Sequence, residues 1–228
     1  MSELYELLKN NLDHTGLPVM EQNLFKHTTE KYGKEEFRKT LAEFITKEKP
    51  PYPLKEFDME KVVDVFRKLQ KADFTKYLST PDNVMEKYDD YKYAYKDYGL
   101  GLIDCPSVFN YCSDAFMNDL RMECGSYGFK SPVTRWNEGD NIWGAFGPIW
   151  RGVNSSQDLS RGTYTMAFRL GTYIATQFKP VVAKTIYEMC DAKTVLDTSM
   201  GWGDRLTAFY ASNATHYIGC DPNPNTFK

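Results

Sequence analysis

The sequence predicts an α/β protein, in which a helical N-terminal region is followed by the start of a parallel sheet. Three observations support that class. Apolar residues recur at three- and four-residue spacing through much of residues 1–80. Two short β-branched runs near the C-terminus each end in an aspartate. Between those runs lie a glycine turn and a stretch with helical spacing, which is the strand, crossover, strand order that a parallel pair requires.

Taken in order, Leu4, Leu7, Leu8 and Leu12 mark a first helix. Thr28-Thr29 precede Glu35-Glu36, and Phe37, Leu41, Phe44 and Ile45 form an apolar stripe on a helix beyond them. Lys49-Pro50-Pro51-Tyr52-Pro53 holds three prolines in four residues and cannot continue a helix. Asp58 is placed to cap the next helix, whose stripe is Val62, Val65, Phe66 and Leu69. A further break is predicted at Ser79-Thr80-Pro81-Asp82. Tyr88, Tyr91, Tyr95 and Tyr98 share one helical face, which serves either core packing or base stacking. Asp89, Asp90 and Asp97 argue against a phosphate-facing surface there.

Residues 99–162 are rich in Gly, Pro, Trp and Asn. The run GAFGPIWRG, Gly144 to Gly152, and Trp136 to Asp140 before it are predicted as loops and short strands. Long irregular segments inside a compact protein are often functional, although no reaction follows from this one. Helical spacing returns with Met166, Leu170, Tyr173 and Ile174, and again with Val181, Val182, Ile186 and Met189. Pro180 suits the first position of that last helix. The predicted regions are therefore 1–98 (helical), 99–162 (irregular) and 163–228 (the opening of a sheet).

The last region carries a mechanism. Lys193 to Asp197 reads as a strand, Thr198 to Gly203 as a turn, Leu206 to Tyr210 as helix, and His216 to Asp221 as a second strand. This is the opening βαβ unit of a Rossmann-type, nucleoside-binding fold. Gly201 and Gly203 let the backbone approach a ligand and adopt positive φ. An acid at the second strand tip can accept hydrogen bonds from two ribose hydroxyls. The three-glycine phosphate signature is absent, and Asp204 stands where an anion would be repelled. A nucleoside cofactor without phosphate suits this turn better than a dinucleotide, and glycines used only for packing are the alternative.

VLDTSMGWGDRL from Val195 and YIGCDPNP from Tyr217 resemble motifs I and II of S-adenosylmethionine-dependent methyltransferases. The resemblance is nearest to the nucleic-acid amino-methyltransferases of phages and large viruses, and it spans about residues 163–224. In that family the first acid and the glycine turn hold the methionine part of the cofactor. Asp197, Ser199, Gly201 and Gly203 stand at those positions, with Trp202 between the glycines. The second-strand acid binds the ribose, and Asp221, followed by Pro222, matches it. Phe178 opens a stretch placed where the family carries motif X, beside the methionine end. The resemblance implies S-adenosyl-L-methionine as cofactor, a Rossmann-type methyltransferase sheet, and methyl transfer to a base amino group, most readily in DNA.

The family also carries an Asp, Asn or Ser followed by Pro-Pro and an aromatic residue. Lys49-Pro50-Pro51-Tyr52 lacks the acceptor, and Asp104-Cys105-Pro106-Ser107 lacks the second proline and the ring, so no catalytic residue is assigned. The family's sheet is longer than the two strands predicted here, so the sheet is expected to be incomplete. A dimer or a second chain is expected to complete it, because an open strand edge invites pairing.

Composition narrows the partners. The net charge of −3 leaves nucleic acid to be held by a local patch. Arg135, Arg151, Arg161 and Arg169 are candidates for it, with surface or paired roles as the alternative. No apolar run approaches the ~18 residues of a membrane helix, and Met1-Ser2-Glu3-Leu4 begins no secretory signal. The five cysteines form no CxxC pair, which suits a reducing compartment, and a cytoplasmic location in a bacterial or infected cell is expected. His14, His27 and His216 are too scattered for a metal site. Ser155, Ser156 and Ser160 form no nucleophile elbow, and Cys220 is expected to be a small buried residue. Arg205 is expected to pair with Asp204 or a neighbouring carboxylate. Two rival functions stand beside methyl transfer: a non-catalytic binding module, and an α/β enzyme using another nucleoside-bearing cofactor.

Overall fold

A computed structural model of the protein describes residues 2–79, 102–103, 105–152 and 157–227. Among them the first half of the chain forms α1 (Glu3–Lys9), α2 (Gln22–Tyr32), α3 (Lys34–Glu48), α4 (Met59–Lys71), β1 (Leu78–Ser79) and β2 (Leu102–Ile103). The second half forms α5 (Asn110–Glu123), α6 (Pro132–Glu138), α7 (Ile142–Ala145), α8 (Arg161–Gly171), α9 (Pro180–Met189), β3 (Thr194–Asp197), α10 (Asp204–Tyr210) and β4 (His216–Gly219). The chain divides into two compact units, each drawn from two stretches. One is Met1–Lys55 with Asp119–Ala175, the other Glu56–Asn118 with Thr176–Lys228.

The first unit is built on aromatic burial. Trp136 is buried and meets Tyr52, Tyr164 and Phe168 edge-on, with Phe168 at 5.1 Å between centroids. Phe25, Phe37 and Trp150 form a second group within 6 Å of one another. Such edge-on pairs add to the burial of large apolar area. Here the structure corrects the expectation of loops and short strands. The stretch after Ser131 forms α6, α7 and a 3₁₀ turn over Gly147–Gly152. Ser131 caps α6 by accepting from the Thr134 amide at 3.0 Å, with Pro132 at the first position. Asn141 caps α7 by accepting from the Gly144 amide at 3.1 Å. Caps and the burial of Ile142, Phe146 and Trp150 outweigh the poor helix propensity of Gly, Pro and Asn.

Pro50 and Tyr52 are buried in the same unit, with Tyr52 in its core and Pro51 exposed between them. The Pro50 carbonyl accepts from Trp136 Nε1 at 2.7 Å, and the Tyr52 ring is buried. This run is therefore a packing element.

The second unit holds the parallel pair. Asp58 caps α4 as expected, accepting from the Glu60 and Lys61 amides. Its residues Val65 and Leu69 join Phe109, Cys112, Val181 and Ala211 in one core. The helix α5 was not anticipated in the Gly- and Pro-rich region. Strands β3 and β4 pair in parallel, Thr194 against His216 through Asp197 against Gly219. Val195 and Asp197 point into the unit, whereas Leu196 and Ile218, opposite each other in register, are 67% and 56% exposed. The fold is mixed α/β and mostly helical, and among the described residues the parallel sheet has two strands; β1 and β2 form a separate antiparallel pair.

No helix among the described residues is long and apolar enough to cross a membrane. The break at Thr80-Pro81-Asp82, the tyrosine face from Tyr88 to Tyr98, Asp104, Ser155 and Ser156 lie outside the described residues.

Candidate functional site

The carboxyl ends of β3 and β4 meet at the glycine turn. β3 runs straight into Thr198, and the turn hands the chain to α10 at Asp204. Gly201 and Gly203 both take positive φ, +56° and +75°. At Gly203 a β-carbon would meet nothing within 4 Å, so it is the left-handed backbone alone that calls for glycine. Beyond the strand ends, the Cys220 amide donates to the Asp197 carbonyl and the Met200 amide to the Cys220 carbonyl, at 2.8 and 2.9 Å. These bonds clamp the turn against the tip of the second strand.

Asp221 completes the clamp. Its Oδ2 accepts from the Gly201 amide at 2.8 Å, and its Oδ1 from the Asn223 amide at 2.9 Å. Each oxygen keeps a lone pair for a further donor. Asp197 is buried, and its Oδ2 accepts from Arg205 Nε at 2.7 Å and from the Tyr217 hydroxyl at 2.6 Å. Its Oδ1 accepts from the Ser199 amide at 3.3 Å. Burial alone would raise the Asp197 pKa, but the bonds from Tyr217 and Arg205 outweigh it and hold the carboxyl below its ordinary value. Arg205 also donates to the Ser199 carbonyl, and its guanidinium lies 5.2 Å from the Phe178 ring centroid. Trp202 Nε1 donates to the Thr176 carbonyl at 3.1 Å, and Pro222 is exposed beside Asp221. Asp197 is thus bonded to Ser199 and Asp221 to Gly201, the two pairs linked through the Cys220 and Met200 backbone, and Phe178 is reached through Arg205.

Of the partners expected for Arg205, it is the neighbouring carboxylate Asp197 that pairs with it and not Asp204. Asp204 is buried, and its Oδ1 accepts from Asn110 at 2.9 Å, Ser113 at 2.5 Å and Gln177 at 3.3 Å. Burial pushes its pKa up against those bonds. Cys220, expected to be buried, is exposed because it faces outward past the end of β4. Tyr217, Asn110, Ser113 and Gln177 were not singled out in the sequence.

The four arginines separate into two kinds. Arg135 donates to the Asp140 and Asn141 carbonyls and to Thr172, and Arg161 to Asp13, Thr15 and the Leu54 carbonyl. Arg151 and Arg169 are exposed, and among the described residues neither is hydrogen-bonded or ion-paired. Among the described residues no group of three or more His, Cys, Asp or Glu is placed to hold a metal ion. Compared with known proteins, the chain matches no family model, no curated protein and no solved structure.

Proposed function

We propose that the chain binds S-adenosylmethionine at the carboxyl ends of β3 and β4, as part of methyl transfer to a base amino group in nucleic acid, DNA foremost. One observation supports this above the others. Parallel register sets two aspartate-tipped strands side by side, and a left-handed glycine turn is hydrogen-bonded to the second tip. In open α/β sheets ligands bind in the crevice at the carboxyl ends of the strands.

The donor set fits that cofactor. Asp221 has lone pairs to spare for a ribose diol. Asp197, Asp221 and Arg205 together leave one negative charge, which complements a cationic sulfonium. An acid rather than a third glycine opens α10, so the turn suits a nucleoside without phosphate. The cofactor supplies an electrophilic methyl group. The chain's own residues bind and orient it: Asp221 at the ribose, the Gly201–Gly203 backbone and Phe178 beside the methionine end. Asp197 is a positioning residue, since its contacts go to Arg205, Tyr217 and the turn.

A second reading is a binding module without catalysis. The burial of Pro50 and Tyr52 favours it, because this run is spent on packing and no acid-Pro-Pro-aromatic motif is left to receive a base. Exposed Leu196 and Ile218 leave one sheet face apolar and uncovered, which supports a second copy or chain packing over it. Thermal unfolding with S-adenosylmethionine, its demethylated product and NAD tests the cofactor. Ligand at ~100 times its dissociation constant adds about 2.7 kcal/mol to the folded state. A shift with the first two and not with NAD supports the reading, and no shift counts against it. Radiolabelled methyl incorporation into DNA by this chain alone would exclude the module.

A further inference from the structure

The run GAFGPIWRG, which methyl transfer leaves unused, walls a cavity in the first unit. The cavity encloses about 420 Å³ and is lined by Lys34, Arg151, Leu170 and the backbone of Gly144, Ala145, Gly147 and Pro148. Among the described residues its lining holds two cations and no acidic side chain. Lys34 opens α3 and Arg151 lies in the Gly147–Gly152 turn; both are exposed, and among the described residues neither is hydrogen-bonded or ion-paired. Arg169, likewise without a partner there, precedes the lining residue Leu170. The nearest acid in sequence, Glu35, is 3.9 Å from Arg38, which is itself spent on the Trp143 and Gly144 carbonyls.

Arg135, Arg161 and Arg38 are consumed in holding the fold, whereas among the described residues Lys34 and Arg151 have no acidic partner. In a chain of net charge −3, a concavity of one positive sign concentrates anions. Arginine matches a phosphate with paired N–H groups and lysine adds a point charge.

We propose that this cavity binds a phosphate ester, that of a single-stranded polynucleotide. The inference deepens the proposed function, and rests on it only in taking a polynucleotide rather than a free nucleotide as the source of the phosphate. The test uses the full chain without cofactor. Fluorescence anisotropy follows, in separate titrations at low salt, a labelled short oligothymidylate and a labelled AMP, for the natural chain and for Lys34→Gln with Arg151→Gln. Both side chains are exposed, so the melting temperature should not move. Binding should weaken roughly a hundredfold, each of the two charged hydrogen bonds being worth about a factor of ten. The slope of log K against log salt should flatten by about 0.7–1. Unchanged affinity and slope in the double variant, or no binding of either probe to the natural chain, overturns the site. Binding of AMP without oligothymidylate keeps the phosphate site and overturns the polynucleotide. The thermal shift with S-adenosylmethionine is read separately, so either inference can fail alone.

Discussion

Replacing Tyr217 by Phe probes the buried charge beneath the glycine turn. The hydroxyl donates to Asp197 Oδ2 at 2.6 Å, and that carboxylate is 7% exposed. The ring packs on Phe209 at 5.3 Å between centroids, and Phe keeps that contact. The loss is then close to one hydrogen bond to a charged acceptor, about 2 kcal/mol. Urea unfolding at pH 7 reads it as a lower midpoint with unchanged slope. The pH dependence gives a second check. The Asp197 pKa is lowered in the fold, so its contribution is present above the unfolded value of ~3.9 and lost as pH falls through the lower folded value. The cost of Tyr217→Phe should therefore shrink in acid. Arg205 grips Ser199 as well as Asp197, so the variant should also reduce the thermal shift given by S-adenosylmethionine. A cost below about 0.5 kcal/mol at pH 7, or one that is equal in acid, would refute the account of Asp197 as a buried, bonded charge.

Asp221→Ala removes the acceptor of the Gly201 and Asn223 amides and should abolish the S-adenosylmethionine shift in calorimetry while the chain stays folded. In the first unit, burial would raise the Asp13 pKa, but bonds from Thr15, Leu17 and Arg161 bring it down to about 2. Asp13→Asn should thus cost about 2 kcal/mol at neutral pH, and the difference should vanish as pH falls from ~4 toward 2, as acid titrations of both chains would show. Leu196→Lys with Ile218→Lys charges the exposed sheet face; sedimentation should show association of the natural chain that the variant lacks, and a natural chain that stays monomeric rules out self-pairing.

The helical N-terminal region was legible because its signals are local: stripes at Leu41 and Ile45 or Val62 and Leu69, and the cap at Asp58. The parallel pair was legible for a similar reason, since aspartate-ended runs about 20 residues apart with glycines between leave few other geometries. The helices from Asn110 to Ala145 were not. Their residues have weak intrinsic preference, and they are held by distant partners, such as Trp136 on the Pro50 carbonyl and Asn110 on Asp204. The same holds within the site. Sequence alone determined which acids and glycines stand at the strand ends, because strand, turn and helix preferences act over neighbouring residues. Only the tertiary structure decided that Asp197 is spent on Arg205 and Tyr217, and that Arg135 and Arg161 are bound while Lys34 and Arg151 share a cavity. Those outcomes depend on which charges are brought together and buried, and that is set by chain segments far apart in sequence.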